Sequence, residues 1–376
     1  MIKNPFILEP YRSKEFFCDR EKETEALITN IANGRNTALI SPRRFGKTGL
    51  IFRVFDEIEL RNLPIETLYV DISDTSSLSD FIRVLSDAVA AKMGKQQKIA
   101  DFFKSLKSVR PLLSYDPVTA SPQVSVTFID DAQKQNTLND ILDYLENYQQ
   151  KVVLAIDEFQ QIREYGESNM EAVLRKHVQH LRNVRFIFCG SKKHVMTDMF
   201  SNAKKPFYES TSFLYLSKLS TPVYADFIKE MFRSFGKTIT DDSITFILEW
   251  TKAHTFYTQR LCNEVFARSA ETVEMNDVLK AAEYLIDSER ERFQEIRRLV
   301  TPSQWKMLVA LASEGSVSSI TSSRFLSKYG ITSGPTAIRN ITSLIEKELV
   351  LATTDEDKTS YSVYNVFLSR YLEGKR

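Results

Sequence analysis

Three cysteines in 376 residues, Cys18, Cys189 and Cys262, are too few and too far apart for a disulfide framework. No C-x-x-C pair offers a thiolate zinc site, and the scarcity suits a reducing compartment. Charge of one sign is missing too. Fifty basic residues face 49 acidic ones, leaving +1, so no global field draws the chain to nucleic acid or membrane. Such a partner needs a local patch. No apolar run reaches membrane-spanning length, about 18 residues. The opening "MIKNPFILEPYRSKEFF" is charged throughout and lacks the continuous apolar stretch of a signal peptide. Internal repeats and low-complexity tracts are also absent. The expectation is a soluble, cytoplasmic protein of two or three domains, for which 43% hydrophobic and 26% charged residues are ordinary.

What is present is a rhythm. From residue 36 to about 220, short apolar runs alternate with helical patterns: "NTALI" (36–40), "IETLYVDI" (65–72), "KVVLAID" (151–157), "VRFIFCGS" (184–191) and "TSFLYLSKL" (211–219). The first four read as strands buried on both faces, and the alternation predicts a five-stranded parallel sheet with helical crossovers. "SYDPVTASPQVSVTF" (114–128) interrupts it as a loop or small hairpin. Residues 221–298 carry helical periodicity only, with Thr221 and Thr240 as candidate N-caps. From "TPSQWKMLVALASEG" onward, three helices and two strands around a polar turn follow the winged-helix pattern. The expected division is an α/β domain over 1–220, a helical lid subdomain over 221–298 and a winged helix over 299–376.

The stretch "TALISPRRFGKTGLI" approximates a phosphate-binding loop, G-x-x-x-x-G-K-[ST], with Ser41 at the first glycine. It follows a strand and opens a helix, so successive backbone N–H groups and the helix dipole face an anion. In this frame Ser41, Pro42, Arg43, Arg44, Phe45 and Gly46 wrap the phosphates, with Gly49 just beyond. Lys47 reaches the β/γ oxygens, and Thr48 offers its hydroxyl to magnesium. Alone, G-K-T is weak, since it recurs by chance. Its partner is "LAIDEFQQI", which puts Asp157 and Glu158 at the carboxyl edge of a buried strand. Asp157 would hold magnesium, directly or through water, and Glu158 would deprotonate the attacking water. A plain helix cap is the other reading of an Asp-Glu pair. Ser191, ending the next strand, is either a contact to phosphate or lytic water, or a helix N-cap.

Together these elements resemble the AAA-like ATPases of archaea and Bacteroides-type bacteria, relatives of the STAND signalling NTPases. "FCDREKETEALITNI" resembles the family's F-x-G-R-E-x-E-x-x-x-L opening, with Asp19 for its glycine. "SPRRFGKTGLI" resembles G-x-R-R-x-G-K-T-S-L, "LAIDEFQ" its Walker B strand, and "KAHTFYTQRLCNEV" its G-x-P-Y-x-x-Q-x-L segment. The C-terminal winged helix, ending "SYSVYNVFLSRYL", matches as well. The resemblance implies a P-loop ATPase fold and an ATP/ADP site with Mg²⁺. It places Phe6 and Arg20 around the adenine and makes His254 a nucleotide sensor, unless His254 simply begins a helix. No N-K-x-D guanine signature argues otherwise. Thr255 replaces a family proline, and Glu209-Ser210 stand where relatives read Gly-Arg, so an arginine finger is missing. Arg43 or Arg44 would supply that charge, or serve merely as surface or subdomain-bridging arginines. Three functions remain open: a slowly hydrolysing ATP switch, a nucleotide-locked interaction module, and a nucleotide-regulated DNA-binding protein. For the last, residues 296–376 hold eleven basic and seven acidic side chains, and Arg339 and Asn340 are candidate base readers. The wing "TTDEDKT", however, is acidic, and docking on a protein partner or on the chain's own ATPase domain fits it better.

Overall fold

Strand residues alternate between two faces, and here both faces find an apolar layer. In the computed structural model, which describes residues 4–374 apart from 94–95, 116–121, 167–168 and 356–357, the chain forms two compact units. One runs Glu9–Ser217; the other joins the segment up to Leu8 with Lys218 onward.

The first unit runs in order α1 (Glu21–Ala32), β1 (Thr37–Ile40), α2 (Lys47–Leu60), β2 (Ile65–Asp71), α3 (Leu78–Met93) and α4 (Gln96–Ser105). The hairpin β3 (Leu112–Tyr115) and β4 (Pro122–Ser125) follows, and its turn, part of the expected 114–128 insertion, lies outside the described residues. Next come α5 (Asp131–Glu146), β5 (Lys151–Asp157), α6 (Met170–His180), β6 (Val184–Gly190), α7 (Lys193–Ser201) and β7 (Ser212–Tyr215). Among the described residues, five of these strands pair in parallel in the order β2-β5-β6-β1-β7, as expected. Val152, Leu154 and Ile156 of β5, with Phe186 and Phe188 of β6, enter the core on the face that also buries residues of α3–α7. Val153, Ala155, Ile187 and Cys189 point the other way, onto Leu27 of α1 and Leu50 and Val54 of α2. This is why the two central strands read as unbroken apolar runs. The strand β2 differs from the expectation of double burial: it is an edge strand, where only Leu68 and Val70 are fully covered.

The second unit contains α8 (Thr221–Ser234), β8 (Thr238–Ile239), α9 (Asp241–Trp250), α10 (Thr255–Arg268), β9 (Thr272–Val273), α11 (Met275–Ser288) and α12 (Arg290–Leu299). It continues through α13 (Pro302–Glu314), α14 (Ser323–Tyr329), α15 (Gly334–Glu346), the hairpin β10 (Val350–Asp355) and β11 (Lys358–Val363), and α16 (Val366–Glu373). Thr240 caps α9 through Ser243 N, but Thr221 lies inside α8, whose cap position is Ser220. The elements α13–β11 form the winged helix, completed by a bridge from Val317 to Tyr361. Glu356 and Asp357 of the acidic wing fall outside the described residues. Helix α16 ties the winged helix to α9 and α10: Phe367 packs against Trp250 and Tyr257, and the Arg370 guanidinium donates to the carbonyls of Glu249 and Trp250. At the other end of the sequence, Phe6 is clamped by Phe232 and Phe266, while Asn4 donates to Asn263 O and Asn263 to Phe6 O.

Three positions where the family pattern has glycine carry side chains in the left-handed region: Asp19 (φ 58°), Glu209 (φ 50°) and Ala253 (φ 48°). Ser41, at the fourth such position, has no positive φ. An L-residue in that region costs about 1–2 kcal/mol, against about 0.5–1 kcal/mol of extra chain entropy for glycine. Ala253→Gly therefore stabilises the protein by about 0.5–1 kcal/mol, and Asp19→Gly by less, since aspartate tolerates this region. Ser41→Gly destabilises it by up to about 1 kcal/mol. Chemical denaturation reads all three; a gain for Ser41→Gly would refute the account.

Candidate nucleotide site

The carboxyl ends of β1, β5 and β6 bring the predicted site together. The loop Ser41–Gly46 leaves β1, and α2 begins at Lys47. Two residues give the loop its turn: Arg44 (φ 65°) and Gly46 (φ 94°). A Cβ on Gly46 would meet nothing, so glycine is needed there for its backbone angle, not for space. Ser41 is buried, its N–H on Gly190 O at 3.3 Å and its hydroxyl on Pro42 O. The Lys47 ammonium, only 5% exposed, donates to Ser41 O at 3.0 Å and Pro42 O at 3.4 Å. Burial pulls its pKa below the usual lysine value, and the charges of Glu158 and Asp157 only partly oppose this. An anion in the loop would restore the charged form. Arg43 and Arg44 are exposed, Phe45 is buried, and Gly49 packs beneath Pro10 and Phe17, where a Cβ would stand 2.5 Å from the Pro10 carbonyl.

Asp157 ends β5 and is 4% exposed. Its Oδ2 accepts from Thr48 Oγ1 at 2.7 Å and from Tyr69 Oη at 3.0 Å. Burial, then the Asp157 charge, raises the Tyr69 pKa far above a free phenol's, so Tyr69 stays a donor. Nothing in the sequence pattern singled out this tyrosine. Glu158 follows in the left-handed region (φ 53°), a strained geometry for a glutamate. Phe159 fixes it: fully buried, it packs on Phe188 at 4.5 Å, Phe207 at 5.4 Å and Phe200 at 5.9 Å. Ser191 Oγ donates to Glu158 Oε2 at 2.6 Å. The N-cap of α7 is Lys192, so the Ser191 hydroxyl serves the acid and not the helix end.

The remaining expected residues stand on other elements of the chain. Arg20, 5% exposed, bonds Glu23 Oε1 at 2.7 Å and Ser217 O at 2.5 Å. Phe6 and His254 belong to the second unit. Phe6 is 1% exposed in the core of that unit, so its ring is already enclosed by phenylalanines. His254 is the N-cap residue of α10, and its ring meets Tyr257 edge-on at 4.7 Å. Asn340 is 9% exposed and donates to Ser303 Oγ at 2.8 Å, which leaves Arg339 as the exposed member of the expected base-reading pair.

Residues 17–261 match a family described as an ATPase domain predominantly from Archaea. The chain belongs to that family. Residues 291–374 of this ATPase-family member further match a probable winged helix domain, as expected from sequence. Its fold is similar to the Walker-type ATPase PABY2304 of Pyrococcus abyssi, with TM-score 0.67 and 19% identity over 98% of this chain and 99% of that one. The Aeropyrum pernix ORC2 protein in ADPNP–ADP complexes is similar at TM-score 0.61 and 14% identity, covering 98% and 95%. The ORC1 protein of the same organism, in complex with DNA, is similar at TM-score 0.54 and 13% identity, covering 99% and 96%. No curated protein matches the sequence significantly. These likenesses establish the fold of an ATP-binding ATPase. Among the described residues no helix is long and apolar enough to cross a membrane.

Proposed function

We propose that this ATPase-family member binds ATP and ADP with Mg²⁺ at residues 41–48, hydrolyses ATP slowly, and uses the nucleotide state as a conformational switch. The observation that carries the reading is the 2.7 Å bond between Thr48 Oγ1 and Asp157 Oδ2. A loop hydroxyl and a strand-end carboxylate meeting in this way are the two hard oxygen donors that a magnesium–nucleotide complex takes from such a loop. When bound, the ion would neutralise charge growing on the phosphate oxygens. The chain's own part is separate from that. Lys47 and the loop N–H groups hold the phosphates, Asp157 is oriented by Tyr69, and Glu158 accepts the proton of the attacking water. Slowness follows from Glu209 and Ser210 standing where relatives read Gly-Arg. Arg43 or Arg44, in the loop itself, is the proposed source of compensating charge. The test is equilibrium binding of ATP, ADP and GTP, with phosphate release followed with and without DNA. Tight ATP and ADP binding with low turnover supports the reading. A preference for GTP, or no binding at all, overturns it.

For the switch, ATP and ADP must differ in affinity for two states, since a ligand shifts an equilibrium only by that difference. Limited proteolysis in ADP and ATP-analogue states should give different patterns, and identical patterns favour the nucleotide-locked module. The winged helix is proposed to dock on protein. The DNA-complexed ORC1 protein shares the fold, yet Asn340 here is turned inward onto Ser303. Asn340→Ala should therefore lower stability by about 0.5–1.5 kcal/mol, the cost of one lost part-buried hydrogen bond, and leave any DNA affinity unchanged. A sequence-dependent loss of DNA binding in that variant would restore the DNA reading.

A further inference from the structure

Behind Glu158 lies a residue that the sequence pattern did not assign. Gln160 sits two positions on, in the 3₁₀ turn Phe159–Glu164, and is 5% exposed. Its Nε2 donates to Glu158 Oε2, the oxygen that also accepts from Ser191 Oγ, and lies 3.4 Å from that hydroxyl. Both donors therefore converge on one carboxylate oxygen. The other, Oε1, accepts no hydrogen bond among the described residues. The Gln160 amide cannot be turned round, because its carbonyl would then face the carboxylate. In the orientation it holds, its own Oε1 is buried without a partner. That is an unfavourable arrangement for stability, so something other than stability maintains it.

Gly190 supplies the space. A Cβ there would collide with Met196 and stand 2.6 Å from Gln160 Oε1. Its φ is not in the left-handed region, so the glycine is present for room and not for backbone angle. Three unusual features meet at one carboxylate: a left-handed glutamate, a buried half-satisfied amide and a glycine forced by packing.

We propose that Gln160 is a positioning residue for Glu158, tying one carboxylate oxygen so that the other is presented to the attacking water, with Gly190 making room for it. The inference rests on the ATP-hydrolysis reading of this site. Gln160 touches neither nucleotide nor water in this scheme and acts through Glu158 alone.

The experiment uses the full chain as wild type, Gln160→Met, Glu158→Gln and the double variant, with Gly190→Ala as a second route to the same displacement. Methionine keeps the volume and removes a buried unpartnered acceptor, so folding is expected to survive. Single-turnover hydrolysis should fall about 10- to 100-fold in Gln160→Met, the scale of a misplaced reacting group, with the Kd for ADP unchanged within about twofold. In the Glu158→Gln background the same change should do nothing further. Gly190→Ala should give the Gln160→Met phenotype. Thermal unfolding of the same four proteins should show non-additivity between positions 158 and 160. Additive stabilities would overturn the contact and the proposal with it. Unchanged hydrolysis in Gln160→Met, or an equal loss in both backgrounds, would overturn the proposal while the ATPase reading stands. Coupled stabilities alongside wild-type turnover no faster than that of Glu158→Gln would overturn both.

Discussion

Replacing Lys47 with alanine should weaken ATP and ADP binding by roughly 30- to 150-fold while leaving the empty protein as stable as before or more so. The first half follows from removing a charge-assisted contact to phosphate, worth about 2–3 kcal/mol. The second follows from burial. Lys47 is enclosed, its ammonium donating to the carbonyls of Ser41 and Pro42, and burial depresses its pKa. With the folded pKa lowered, the unfolded chain holds more protons between that depressed value and 10.5. Stability of the nucleotide-free protein must therefore rise with pH across that window, and Lys47→Ala must flatten the rise. Calorimetric binding and denaturation at two pH values measure both effects. A variant that binds ADP normally would remove the site assignment altogether.

The second large effect concerns Glu158→Gln. A positioned general base contributes about 10²- to 10⁴-fold, and turnover should fall by that factor while nucleotide stays bound. The variant is close to isosteric, and its amide oxygen can still accept from Ser191, so the local fold is retained. ATP should then accumulate on the protein in place of ADP. If phosphate release in the wild type is no faster, with or without partners, hydrolysis is not part of the function and the locked module takes its place.

Much of this was legible because parallel strands buried on both sides are continuous apolar runs. The runs ending at Ile40, Asp157 and Gly190 gave both the sheet and the positions of Ser41, Asp157, Glu158 and Ser191 along its edge. An edge strand carries a weaker signal, and β2 is accordingly less buried than its apolar run implies. The geometry across strands was not legible. Tyr69 reaches Asp157 from a neighbouring strand, and Gln160 reaches Glu158 around a left-handed turn. Neither follows from spacing alone. The inward turn of Asn340 is hidden for a different reason: on a helix half buried against α13, one residue's rotation decides between solvent and core. Side chains at family glycine positions mislead in the opposite direction, since whether Ser41 is strained depends on φ, which no substitution pattern states.

The pinning of Asn4 and Phe6 has a consequence for how the protein is made. Asn4 donates to the carbonyl of Asn263, 259 residues further along the chain. At the usual 5–20 residues per second of synthesis, that partner emerges roughly 13–52 seconds later. Glu9–Ser217 can fold in the interval, because its strands and helices are all present once β7 is complete. The segment ahead of it must wait with Phe6 uncovered until Phe232 and Phe266 arrive. A nascent chain halted before residue 232 should thus carry a folded α/β unit and a protease-sensitive segment around Phe6, and that segment should become protected only after α10 has been released.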